Sequence, residues 1–159
     1  MKQVKSKLKT IKQSRTDINS PSAITKTILL ALRMEKKIIR TNNAPAPIGP
    51  YNQAVSFGNM LFISGQIALD PATGNLVQDS IAAETTLVMK NLEAILKEAG
   101  MDFSNVLKST IFLMDMGQFG AVNEIYGSYF TADPPARETV QVSGLPKGVQ
   151  VEISMIAGK

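Results

Sequence analysis

The chain has 159 residues, room for one domain with a real core but not comfortably for two. It contains neither cysteine nor histidine, which removes a disulfide framework, Ser-His-Asp and Cys-His catalysis and nearly every zinc site. The net charge of +4 is unevenly placed: residues 1–33 hold six Lys and two Arg against the single acid Asp17, a net +7, which leaves the rest of the chain at −3. Chemistry must therefore run on Arg, Lys, Glu, Asp, Tyr, Ser, Thr and backbone groups.

Residues 1–33 are rich in Lys, Ser and Thr and poor in acids. That composition suits a targeting peptide. It also suits an arm for nucleic acid or membrane, although interleaved aromatics are missing. A secretory signal does not fit, because the apolar run Ile28-Leu29-Leu30-Ala31-Leu32 is too short and ends at Arg33. The segment is expected to be disordered or weakly helical, since its apolar surface is too small to offset ordering entropy. No stretch of the chain approaches the length of a membrane helix.

Lys37 to Thr41 is expected as the first strand. Asn43 to Tyr51 holds three prolines and a glycine and reads as a restricted loop able to fix one tyrosine, Tyr51. Gln53–Phe57 and Met60–Ile67 read as a hairpin through Gly58-Asn59, with Gly65 permitting a close approach by a ligand or another strand. Asp70 to Gly74 is a turn, and Asp79 or Ser80 can cap a helix running to about Ala99. Its buried stripe is Ile81, Val88, Leu92, Ile95 and Ala99, and Gly100 suits the position just past its end. Val106 to Asp115 reads as a strand buried on both faces, because Ile111-Phe112-Leu113-Met114 is nearly all apolar. Phe119, Val122, Tyr126 and Phe130 mark a second amphipathic helix, which Asp133-Pro134-Pro135 is expected to stop.

Pro134 to Ala157 reads as two strands joined by a turn at Gly144, Pro146 and Gly148. In the second strand Val149, Val151, Ile153 and Met155 point one way, and Gln150, Glu152 and Ser154 the other. In the first, Arg137, Thr139 and Gln141 share a face. Paired as a hairpin, the strands would set Glu152 opposite Gln141, about 13 Å along from Arg137. Arg137 and Glu152 would then bracket a ligand, alone or with a neighbouring subunit contributing, rather than form a salt bridge. The element order fits an α+β fold, one sheet of about six strands with two helices covering one face.

Several ordered segments resemble the RidA/YjgF family of enamine and imine deaminases. They are Asn43-Ala44-Pro45-Ala46-Pro47-Ile48-Gly49-Pro50-Tyr51, Gly58 to Gln66, Val122-Asn123 followed by Tyr126 and Phe130, Pro135-Ala136-Arg137, Leu145-Pro146-Lys147 and Val151-Glu152-Ile153. The resemblance runs from Met34 to Lys159, and Met34-Glu35-Lys36-Lys37-Ile38-Ile39 looks like a family beginning. Residues 34–159 are then the domain, and a fourth reading of residues 1–33 is an extension arising from start-site choice.

The resemblance implies a chorismate-mutase-like fold that assembles as a homotrimer, three sheets forming a central barrel with sites in the clefts between subunits. It implies hydrolysis of small 2-imino and 2-enamino acids to 2-oxo acids and ammonia, without metal or cofactor, clearing imines released by pyridoxal-phosphate enzymes. By position, Arg137 clamps the substrate carboxylate through its paired donors, and Glu152 orients water and moves protons. Tyr51 closes the pocket, Ser64 and Gly65 line it, Asn123 adds a polar contact, and backbone at Thr139 binds the carboxylate. Glu138 departs from the small residue usual there, but alternation turns it away from Arg137. Two other functions stay open: an RNA-directed translation inhibitor or endoribonuclease, and a metabolite-sensing module without turnover. The acidic domain argues against nucleic acid, since phosphate contacts need Lys and Arg. The expected location is cytoplasmic, or organellar if residues 1–33 are a targeting peptide.

Overall fold

The computed structural model describes residues 35–159; the expectation of a disordered or weakly helical segment over residues 1–33, and Met34, lie outside the described residues. The strands are β1 (Lys36–Ile39), β2 (Ala54–Phe57), β3 (Met60–Gln66), β4 (Val106–Leu113), β5 (Ala136–Gln141) and β6 (Val151–Gly158); the helices are α1 (Ile81–Glu98) and α2 (Phe119–Gly127). The strands form one sheet in the order β1-β2-β3-β6-β4-β5. All neighbours are antiparallel except β4 and β5. Parallel neighbours need a crossover connection, and α2 provides it. No helix among the described residues is long and apolar enough to cross a membrane.

Local chemistry accounts for the element ends. The β2–β3 turn places Gly58 at φ 61°, a left-handed conformation costly for other residues. Ser80 caps α1, its hydroxyl oxygen accepting the Ala83 N–H at 3.1 Å. One face of α1, with Val88, Met89, Leu92, Ile95 and Leu96, is buried against Leu61, Ile63, Ile111, Leu113, Ile153 and Met155 of the sheet. Asn91, also buried, donates to the carbonyls of Ile67 and Leu69 at 3.1 and 3.0 Å, tying α1 to the segment after β3. Gln53 organises the proline-rich loop: its side chain accepts from the Thr41 N–H and donates to the carbonyls of Thr41, Ala44 and Pro45.

Three expectations need correction. The C-terminal strands are not a hairpin, because β4 lies between them. Ser109 stands beside Arg137 on one side and Met155 on the other, and Phe112 stands between Val140 and Glu152. Strand β4 is not buried on both faces. Ser109, Ile111 and Leu113 are buried on the helix side, while Thr110 and Phe112 are half-buried on the other. And α2 ends at Gly127, well before Asp133; Phe130 reaches the core from a following turn, its ring 4.7 Å from Tyr126 and 5.4 Å from Phe103.

The alternation expected for the last strand holds along all of β6, with Val151, Ile153, Met155 and Ala157 buried and the residues between them half-buried. Both helices pack on one face of the sheet. No described residue covers the other face, which carries the row Ile38, Val55, Phe62, Ile156 and, further along, Phe112 and Glu152.

Candidate active site

The residues that the sequence singles out fall into two clusters, one on each face of the sheet. The first lies on the uncovered side, at one end. There the β3–β6 register slips between Ile63 and Gln66, and such a bulge re-aims the backbone. Ser64 sits in it, its hydroxyl donating to the Asn52 carbonyl at 2.7 Å and its N–H to the Gln53 carbonyl at 3.0 Å. Gly65 follows, so close to β6 that a β-carbon there would overlap the Glu152 carboxylate. Glu152 therefore lies flat on bare backbone. Together with Ile48, Tyr51, Ile67 and Pro146 these residues line a cleft of about 350 Å³. The Tyr51 hydroxyl accepts the Ile48 N–H at 3.3 Å while the ring stays exposed at the cleft edge. Burial alone pushes the Glu152 carboxyl up from the usual glutamate range. Among the described residues Glu152 has no ion-pair partner.

The second cluster forms between β5 and α2 on the helix-covered side. Phe119, Asn123 and Tyr126 follow one another at four and three residues and so share one face of α2. Arg137 lies against that face. Its Nη1 donates to Asn123 Oδ1 at 2.8 Å, and its Cζ lies 5.0 Å from the Tyr126 ring centre and 5.5 Å from that of Phe119. The Tyr126 hydroxyl donates to Ser109 Oγ at 3.0 Å, fixing one wall of this cradle from inside the core. Burial pushes the Tyr126 hydroxyl up, with Ser109 and Arg137 pulling the other way. Thr139 lies two residues beyond Arg137 on the same face, its hydroxyl buried without a hydrogen-bond partner among the described residues.

Tyr51, Ser64, Gly65 and Glu152 thus come together, as do Arg137, Asn123 and Thr139. The two groups do not meet within the chain, and a cleft bracketed by Arg137 and Glu152 of one hairpin is not what the fold builds. Glu138 does face away from Arg137. It accepts from the Thr110 hydroxyl at 2.8 Å and pairs with Lys108 at 3.0 Å, contacts that hold its carboxyl below the usual range. Phe119 enters the sequence reading only as part of a core stripe, and Tyr126 as part of that stripe and of a family motif; their shared face with Asn123 is the signal of a second duty.

Residues 41–159 match the family model described as Endoribonuclease L-PSP. The chain is 52% identical over 122 residues to a mouse protein named 2-iminobutanoate/2-iminopropanoate deaminase, covering 77% of this chain and 90% of the relative. Two solved structures share the fold. A putative endoribonuclease from Thermotoga maritima has a TM-score of 0.77 at 48% identity, with 79% of this chain and 98% of that one covered. The YjgF gene product of E. coli has a TM-score of 0.74 at 43% identity, with 77% and 98% covered. A family model over residues 41–159 and relatives about half identical along most of that span lead to one conclusion: the chain belongs to the RidA/YjgF family.

Proposed function

We propose that this protein hydrolyses small 2-imino acids and their 2-enamino tautomers to 2-oxo acids and ammonia. The observation that carries the reading is Glu152, a half-buried carboxylate pressed against Gly65 in a cleft edged by Tyr51 and Ser64, with a raised affinity for its proton. Such a group gives and takes protons closer to neutrality than an exposed glutamate. The name of the mouse relative supports the same chemistry.

In the proposed reaction Arg137 holds the substrate carboxylate with the donors that Asn123 leaves free. Backbone beside Thr139 contributes to the same carboxylate. Clamping it fixes the neighbouring C=N carbon. Glu152 orients a water toward that carbon and accepts its proton, and the new C–O bond forms as the C=N π electrons move to nitrogen. Glu152 returns that proton to nitrogen, giving a carbinolamine; it then takes the hydroxyl proton and passes it to the amino nitrogen as the C=O bond forms and the C–N bond breaks, so that the products are a 2-oxo acid and ammonia.

Because Arg137 and Glu152 lie on opposite faces of one sheet, the proposed site takes Glu152, Tyr51, Ser64 and Gly65 from one copy and Arg137, Asn123 and Thr139 from the next. The uncovered face, with Ile38, Phe62 and Val140 exposed, suits contact with further copies, and a homotrimer closes such a head-to-tail arrangement. A cytoplasmic location goes with the reading, since pyridoxal-phosphate enzymes release such imines there.

Complementation tests both parts. Arg137→Lys and Glu152→Gln chains, each inactive alone, are co-expressed with different tags, and ammonia release is followed from 2-iminobutanoate generated in situ. A site shared between copies of a trimer restores roughly a quarter of the wild-type rate, because one site in four draws both intact residues. No restoration in doubly tagged assemblies overturns the shared site, and no turnover by the wild-type chain overturns the deaminase.

A further inference from the structure

One fully buried carboxylate takes no part in the reaction above. Glu84, in the first turns of α1, is 1% exposed. Its Oε2 accepts the Gln150 N–H at 2.9 Å, and the Val151 N–H also stabilises its charged form. These amides belong to the two residues immediately before Glu152. The chain enters that stretch through a sharp turn in which Lys147 and Gly148 take φ of 57° and 72°. The same turn carries Pro146, a wall of the Glu152 cleft. On leaving it, Gln150 is held at both ends: its N–H by Glu84, and its carbonyl by the Met114 N–H at 3.0 Å.

A buried carboxylate is costly unless it is hydrogen-bonded. Here burial has pushed the Glu84 carboxyl up from the usual range, against the pull of both amides. That cost is spent on one place in the sheet, the start of β6. Strand rise puts Glu152 only about 7 Å beyond Gln150, so an error in where β6 starts is carried directly to the carboxylate that lies on Gly65. That contact tolerates no extra atom.

We infer that Glu84 is a positioning residue for Glu152, holding the Gln150 amide just before β6 so that the Glu152 carboxylate meets the cleft in register. The inference rests on the deaminase reading for its kinetic consequence but not for its structural one.

The test uses the full chain. Glu84→Ala is expected to lower kcat about 10–100-fold with KM little changed, and Glu84→Gln, which keeps the reach and one acceptor oxygen, to restore most of it. In a Glu152→Gln background Glu84→Ala is expected to have no further effect, since nothing remains to be positioned. An equal loss in both backgrounds, or none in either, overturns the inference. Should Glu84→Ala fail to fold, Glu84→Asp, which withdraws the carboxylate by one methylene, takes its place; failure of both to fold makes Glu84 a folding strut and overturns it as well. Carboxyl NMR of Glu152 gives a reading independent of turnover. Its titration is expected to move down toward the ordinary glutamate value in Glu84→Ala, and an unchanged titration overturns the inference even if the wild-type chain proves to be no deaminase.

Discussion

Around Glu152 the positioning is done by backbone. A strand bulge, a glycine without a β-carbon and a proline-rich loop pinned by Gln53 shape the cleft, and the acid is pressed onto main chain. Around Arg137 it is done by side chains, with Phe119, Asn123 and Tyr126 reaching from one helix face to hold an exposed guanidinium. The two charges have opposite needs. A proton-transferring carboxylate gains from desolvation, which raises its proton affinity toward the working pH. A carboxylate clamp must remain charged and leave donors free, which aromatic faces allow at small desolvation cost.

The largest effect is expected on the backbone-built side. Glu152→Gln preserves shape but removes the proton acceptor, so turnover should fall by about 10²–10⁴-fold while 2-oxobutanoate still binds in calorimetry. Full activity would take this residue out of the reaction; loss of binding along with turnover would make it a structural part of the cleft. On the side-chain-built side, Arg137→Lys keeps the charge but loses the fork that Asn123 orients. Turnover should fall about 10²-fold, together with 2-oxobutanoate binding. A well-folded Arg137→Lys protein of wild-type activity would remove the clamp.

A finer cut compares the walls. Phe119 is half-exposed, so Phe119→Leu should leave the fold intact. It should raise KM roughly 2–5-fold, as expected for one exposed cation–π contact. An unchanged KM would show that Asn123 alone orients Arg137.

The smallest effect is on stability. Burial raises the carboxyls of Glu152 and Glu84 in the folded chain, so the folded state binds these protons more tightly than the unfolded one. Their contribution is fully present below the ordinary glutamate range and is lost as pH rises through the raised folded values. Glu138 and Asp102, with lowered carboxyls, act in the opposite sense, their contribution fading as pH falls. Urea unfolding from about pH 4 upward should therefore show a shallower decline in Glu152→Gln than in the wild-type chain. Identical slopes would place Glu152 in water.

Much of each cluster is legible one strand or helix at a time. Alternation puts Glu152 opposite in sense to the buried Val151 and Ile153, and puts Glu138 away from Arg137. Gly65 marks a close approach, though not which side chain approaches. The cap at Ser80, the turn at Gly58 and the glycine after α1 follow from local backbone preferences, which act over a few residues. Glu84 carries no such signal, because its partners at Gln150 and Val151 are 66 and 67 positions away.

From the sequence by itself came the element order, the family motifs and which residues of each strand share a face, because these depend on side-chain parity and local turn chemistry. Only the tertiary structure decided which strands are neighbours. Two adjacent strands with a turn between them read as a hairpin, yet β4 is inserted between β5 and β6. Backbone hydrogen bonding is blind to sequence distance, and the crossover through α2 makes the parallel β4–β5 pairing available. That insertion carries Arg137 onto the helix side and leaves Glu152 on the uncovered face, since facing is settled by register across three strands and not by spacing along one.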